Sequence, residues 1–162
     1  MSQAPPQAEL ESKGAPFRLI LKHILVPIDF SECSIGALDY AVALAQKFQA
    51  RLLLLHVVEP TVYRQNPFLS SQVLGEGDEN LITAGREQLA GLRQRLQGIP
   101  AEVLVRVGRA ESEIPDTAKA TGSDLIVMGR YGSAAVKQAP LGGTAERVVR
   151  QASCPVLTVR QA

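Results

Sequence analysis

Tryptophan is missing from this 162-residue sequence, aromatic residues make up only 4% of it, and cysteine occurs twice, at Cys33 and Cys154. Scarce aromatics leave few platforms on which single-stranded bases stack. Charge argues the same way: 17 Lys and Arg stand against 16 Asp and Glu, a formal net charge of +1, without the basic excess a nucleic-acid partner selects. The cysteines share no CxxC spacing and have no histidine near them in sequence, so neither a metal centre nor a redox pair is indicated and a reducing compartment is expected. No segment reaches the roughly 18 continuous apolar residues of a membrane-spanning helix. The opening residues, rich in Gln, Ala, Pro, Glu and Ser, hold no apolar stretch of signal-peptide type. Residues 1–18 are therefore expected to form a disordered tail and residues 19–162 one domain of a cytoplasmic protein without nucleic-acid or membrane partners.

What is present is a hydrophobic fraction of 46%, enough for one full core. Ile24 to Ile28 and Leu52 to Val58 are short apolar runs of the kind that lie buried on both faces in a parallel sheet. Between them Ser31 is placed to cap a helix whose inner stripe is Ile35, Leu38, Val42 and Ala45, ending near Phe48. Glu59 to Asp78 contains Pro60, Pro67, Gly75 and Gly77 and has no period, which predicts a loop able to cover a ligand. A helix from Glu79 to Gln97 would turn Gly85, Leu89, Leu92 and Leu96 inward. Ala101 to Val107 alternates like an edge strand. The next helix, capped by Ser112, would hold Pro115 at its third position, where a missing amide forfeits no bond, and run to about Thr121. Leu125 to Met128 and Val156 to Val159 complete five strands, the last with almost no chain left to cover it.

A strictly alternating order of strand and helix, with no two-residue hairpin signal, predicts a single doubly wound α/β parallel sheet of order 3-2-1-4-5 with helices on both faces. In such sheets ligands bind beyond the carboxyl ends of the strands where the order reverses. Asp29 ends the first strand and Gly129 the fourth, so the two are expected to face one crevice.

The chain after the fourth strand is built to hold phosphate. Leu125-Ile126-Val127-Met128-Gly129-Arg130-Tyr131-Gly132 leads, nine residues later, to Gly142-Gly143-Thr144 and then to Ala145, Val148, Val149 and Ala152, one apolar helix face. Glycine lets the backbone approach a ligand, and a helix N-terminus offers unpaired amides with a positive dipole end. Asp29 has two roles open to it: accepting hydrogen bonds from a ribose or base, or organising the strand-to-helix turn with Ser31. Arg130, Lys137 and Arg147 are at home either near phosphates or in solvent. His23 and His56 receive no chemical role, and Cys33, without a base or second thiol, reads as a plain buried cysteine. Neither GxxxxGK[ST] nor a GxGxxG after a strand occurs, so P-loop and dinucleotide chemistry are unsupported. No catalytic residue is assigned.

Lys22-His23-Ile24-Leu25-Val26-Pro27-Ile28-Asp29-Phe30-Ser31, Leu54-Leu55-His56-Val57, the G-x2-G-x9-G from Gly129 to Gly142, and Ser153-Cys154-Pro155-Val156-Leu157-Thr158-Val159 together resemble the universal stress protein family, over about residues 20 to 160. The glycine pattern resembles that family's ATP-binding branch. The resemblance implies a stress-response regulatory protein that binds ATP, or AMP or ADP, with Mg2+ or Mn2+ held through the phosphates, and forms a homodimer through its last strand, Val156 to Val159. Pro27 and Asp29 would border the adenosine, the Val57 backbone would read the adenine edge, and Met128 and Gly129 would line the ribose. Gly132, Gly142, Gly143 and Thr144 would give backbone amides to phosphates. One departure stands out: the family pattern has Ser or Thr directly after the third glycine, where this chain has Gly143, with Thr144 one place later. A slow ATPase or self-phosphorylating protein, or a nucleotide-free dimeric adaptor, are the alternatives; any enzymatic activity is expected to be at most weak ATP hydrolysis.

Overall fold

The computed structural model describes residues 19–60, 77–132 and 141–160. The expected tail at 1–18 and nearly all of the expected 59–78 loop lie outside the described residues, as does Lys137. Strands and helices alternate: β1 (His23–Pro27), α1 (Glu32–Phe48), β2 (Arg51–Val58), α2 (Asp78–Gln94), β3 (Ala101–Val107), α3 (Ala110–Ala120), β4 (Leu125–Gly129), α4 (Gly143–Gln151) and β5 (Val156–Val159). All pairings are parallel and the order is β3-β2-β1-β4-β5, the doubly wound α/β sheet that the alternation implied.

The continuous apolar runs form strands because both faces of the sheet are covered. Ile24, Leu25 and Val26 are each fully buried, yet they divide between two cores, as successive strand side chains must. Ile24 and Val26 join Leu52, Leu54 and Val127 beneath α1 and α2, while Leu25, Leu55, Ile126 and Met128 pack beneath α3 and α4. The central strand β1 places its carboxyl end between β2 and β4. Chain order reverses there.

Four local expectations are corrected. The inner face of α1 is Ala37, Leu38, Ala41 and Ala45, with Ile35 and Val42 only half-buried; small alanines let the helix axis approach the sheet, and the larger residues flank the contact. Helix α3 begins at Ala110 with Arg109 as N-cap, three residues earlier than a Ser112 cap would give, so Pro115 stands inside the helix and not at its third position. The Arg109 carbonyl already accepts from Ser112 and Glu113 at 3.0 and 2.9 Å, and burying Ile114, Pro115, Thr117 and Ala118 outweighs the bond lost at the proline. In α4, Ala145 and Val148 are buried but Val149 is exposed, because a helix near the sheet edge has a narrower contact than its apolar pattern suggests. Helix α2 ends at Gln94, with Gly85 and Leu89 buried and Leu92 and Leu96 half-buried.

Candidate functional site

The site is built where β1 and β4 end side by side. At the end of β1 the Ile28 amide donates to the Leu55 carbonyl at 2.7 Å, holding the departing chain against β2. Asp29 follows, exposed, and its Oδ1 accepts from the Ser31 amide at 3.0 Å and from the Ser31 hydroxyl. Ser31 in turn accepts from the Ser34 amide, capping α1. Asp29 is thus a turn organiser through one oxygen, as the second of its two roles required.

The glycines of the β4 loop answer to distinct contacts. A Cβ at Gly129 would lie 2.9 Å from the Cys33 carbonyl carbon and 3.0 Å from the Ser34 amide nitrogen, so the first turn of α1 sits directly on the end of β4. A Cβ at Gly132 would lie 3.0 Å from Asp29 Oδ2. The carboxylate of β1 and the glycine loop of β4, separated by about a hundred positions in the chain, therefore meet. Gly142 differs from expectation: its amide donates to the Arg130 carbonyl at 3.0 Å, and a side chain there would press on the same oxygen. That bond closes the loop onto α4. The amides of the first α4 turn, at Gly143, Thr144 and Ala145, have no acceptor within the helix, whose N-cap Gly142 makes no side-chain bond; they and the dipole behind them give this corner its anion-attracting character.

Between these parts lies a cleft of about 440 Å³, within the usual ~300–1,000 Å³ of small-ligand sites. All nine residues singled out from sequence line it: Pro27, Asp29, Val57, Met128, Gly129, Gly132, Gly142, Gly143 and Thr144. Leu55 and Ile114 supply an apolar wall, and Glu59, Glu111, Arg130 and Tyr131 add polar and charged groups. The α3 contribution was not legible in sequence, since nothing local in Ala110 to Ile114 says that this turn will face the end of β4. Arg147 pairs with Glu111 at the cleft wall, and the Arg130 guanidinium lies 5.2 Å from the Tyr131 ring centre. No group of His, Cys, Asp and Glu able to hold a metal ion occurs among the described residues.

Residues 21–160 match the model of the universal stress protein family. The chain belongs to that family. A universal stress protein from Thermus aquaticus, encoded in a sulfhydrylase 3′ region, is 37% identical over 143 residues, covering 87% of this chain and all of the relative. The solved structure of universal stress protein UspA from Lactobacillus plantarum has a TM-score of 0.75 at 28% identity, covering 88% of this chain and 100% of that one. Two more distant universal stress proteins share the fold: one solved with cAMP, at TM-score 0.64 and 22% identity, and one from Archaeoglobus fulgidus solved with dAMP, at 0.62 and 17%.

Away from the cleft, three groups among the described residues of this universal stress protein are perturbed. Burial raises the Asp124 carboxyl, but the amides of His23 and Lys22, which donate to it at 2.9 and 2.8 Å, and the positive charges beside it outweigh burial and hold it below the usual carboxylate range. Burial pushes the Cys154 thiol up, with the Asp124 charge adding to it, so thiolate chemistry is disfavoured there. Cys33 and Cys154 are both free and half-buried. Burial also raises the Glu113 carboxyl, against the pull of Arg106 and with the push of Asp116. No helix among the described residues is long and apolar enough to cross a membrane.

Proposed function

We propose that this universal stress protein is an adenine-nucleotide-binding regulatory protein of the ATP-binding, glycine-motif branch, acting as a homodimer joined through β5. The single observation that carries the reading is the approach of Gly132 to Asp29 Oδ2, which makes one cleft of an acidic strand end and an amide-rich loop. The residues fit the ligand. The apolar wall of Leu55, Ile114 and Met128 suits a base, Pro27, Asp29 and the Val57 backbone suit adenosine, the Gly129 backbone suits the ribose, and Gly132, Gly143 and Thr144 border the corner suited to phosphates. Gly142 supports the phosphate corner by closing the loop on Arg130 and not with a spare amide. Relatives of the same fold with bound cAMP and dAMP favour an adenine ring over other bases.

Among the described residues that line the cleft, Arg130 is the single basic side chain, beside Asp29, Glu59 and Glu111. A triphosphate brings more negative charge than such a lining offsets, so Mg2+ or Mn2+ bound to the phosphates belongs to the reading. β5 is the sheet edge and leaves Leu157 exposed, with Val149 exposed on the helix before it, which suits pairing with a second copy. Titration with a fluorescent ATP analogue, with and without Mg2+, tests the ligand, and native mass spectrometry of gently purified protein tests nucleotide identity and dimer state together. Saturable binding supports the proposal; its absence at millimolar ATP and AMP refutes it.

A further inference from the structure

We infer that His56 is a positioning residue for the cleft, its imidazole pinning the turn that presents Asp29; this rests on the nucleotide-binding reading above. His56 lies on β2 immediately before Val57, and by strand alternation its ring points away from the cleft. The ring is held on three sides. Its Nδ1 donates to the Ile28 carbonyl at 2.8 Å, since a carbonyl has no proton to give and Nδ1 must carry the hydrogen of this bond. The Phe30 ring packs on it, centroids 4.8 Å apart at 47°. On the third side α2 closes down at Gly85, where a Cβ would lie 2.6 Å from His56 Cδ2 and 3.3 Å from Nε2.

The reason for such a grip lies in the backbone of the turn. Phe30 has φ 63, in the left-handed region that an aromatic residue rarely adopts and that persists only when the surroundings enforce it. Ile28 and Phe30 flank Asp29 directly, so His56 holds the backbone on one side of the carboxylate through Ile28 and on the other through the Phe30 ring. Without that grip the strained turn relaxes, and Asp29 leaves its place beside Gly132. A leucine of similar bulk would fill the space under Phe30 but would not bond Ile28.

The test uses the full chain and AMP as the titrant, with calorimetric affinity and thermal melting read side by side. The unaltered protein binds AMP; His56→Leu weakens binding about tenfold, the scale of one hydrogen bond lost from a preorganised site, at temperatures where it remains folded. His56→Asn, whose amide nitrogen can stand in for Nδ1, recovers most of the affinity, a rescue that simple filling of space would not show. Nitrogen NMR of the free protein finds the His56 proton on Nδ1. Should His56→Leu not fold, His56→Phe carries the same test: an aromatic ring keeps the packing on Phe30 but has no nitrogen to bond Ile28, so AMP affinity falls. Undiminished AMP binding by folded His56→Leu or His56→Phe, or an Nδ1 that carries no proton, overturns the inference while leaving the nucleotide reading intact. An unaltered protein that binds no AMP overturns the nucleotide reading, and this inference with it.

Discussion

Replacing Gly143 by serine restores a hydroxyl at the position where the universal stress protein pattern has Ser or Thr, and the structure says that the exchange is sterically free. A Cβ at Gly143 meets nothing within 4 Å, and Gly143 is not among the residues with positive φ. It is the first residue of α4, where serine is favoured over glycine by a few tenths of a kcal/mol in helix propensity. A hydrogen bond to a charged group contributes about 1.5–3 kcal/mol; after the entropy of fixing one exposed serine rotamer, about 1.4 kcal/mol remains, a tenfold gain in affinity. Gly143→Ser is therefore expected to bind Mg-ATP about tenfold more tightly than the unaltered protein, with AMP gaining less if the hydroxyl addresses the outer phosphates. Isothermal titration with both nucleotides, beside a thermal melt, makes the measurement. A folded Gly143→Ser protein with unchanged ATP affinity would refute the placement of phosphate at the α4 N-terminus.

Other substitutions separate the cleft from its scaffold. Asp29→Ala is expected to abolish measurable nucleotide binding and to lower stability by about 1 kcal/mol, through loss of its bonds to Ser31, both readable from titration and chemical denaturation. Gly129→Ala drives a methyl against the α1 backbone at 2.9 Å and should cost about 1–3 kcal/mol in stability, as overpacking does; a melt matching the unaltered protein would contradict the contact. Asp124 has a folded pKa below its unfolded value of about 3.8, so its stabilisation is present above pH ~4 and is lost as pH falls through the folded value. Because Asp124 is partly solvated, that contribution is held to about 1 kcal/mol, and Asp124→Asn should show a shallower loss of stability as pH falls below about 4 in acid denaturation. Leu157→Glu places a charge on the open β5 edge and should leave a folded monomer in sedimentation if copies pair there; an unchanged dimer would move the interface elsewhere.

Much of this architecture was legible one residue at a time. The run Ile24 to Ile28 announces burial on both faces because it has no polar alternation, and burial on both faces requires helices above and below. Asp29 and Gly129 close their strands in the sequence, and only one common strand order brings those ends together. The places that sequence reading missed are of another kind. The apolar period of α4 counted Val149 as inward, yet how wide a helix contact becomes depends on how much sheet lies under it. Pro115 was placed at a helix start by its missing amide, while the packing of Ile114 and Ala118 set the actual start at Ala110.

Sequence alone determined the layered α/β fold and the strand order, since strand burial and glycine spacing are properties of segments a few residues long, and it was the resemblance to the family that singled out the nine residues gathered at one end of the sheet. Tertiary structure alone decided that the Gly142 amide is occupied by Arg130, that Glu111 and Ile114 wall the cleft, and that His56 lies under a strained Phe30 with Gly85 giving it room. Those facts concern atoms from different elements meeting at 3 to 5 Å, and periodicity within an element carries no information about what meets it from across the fold.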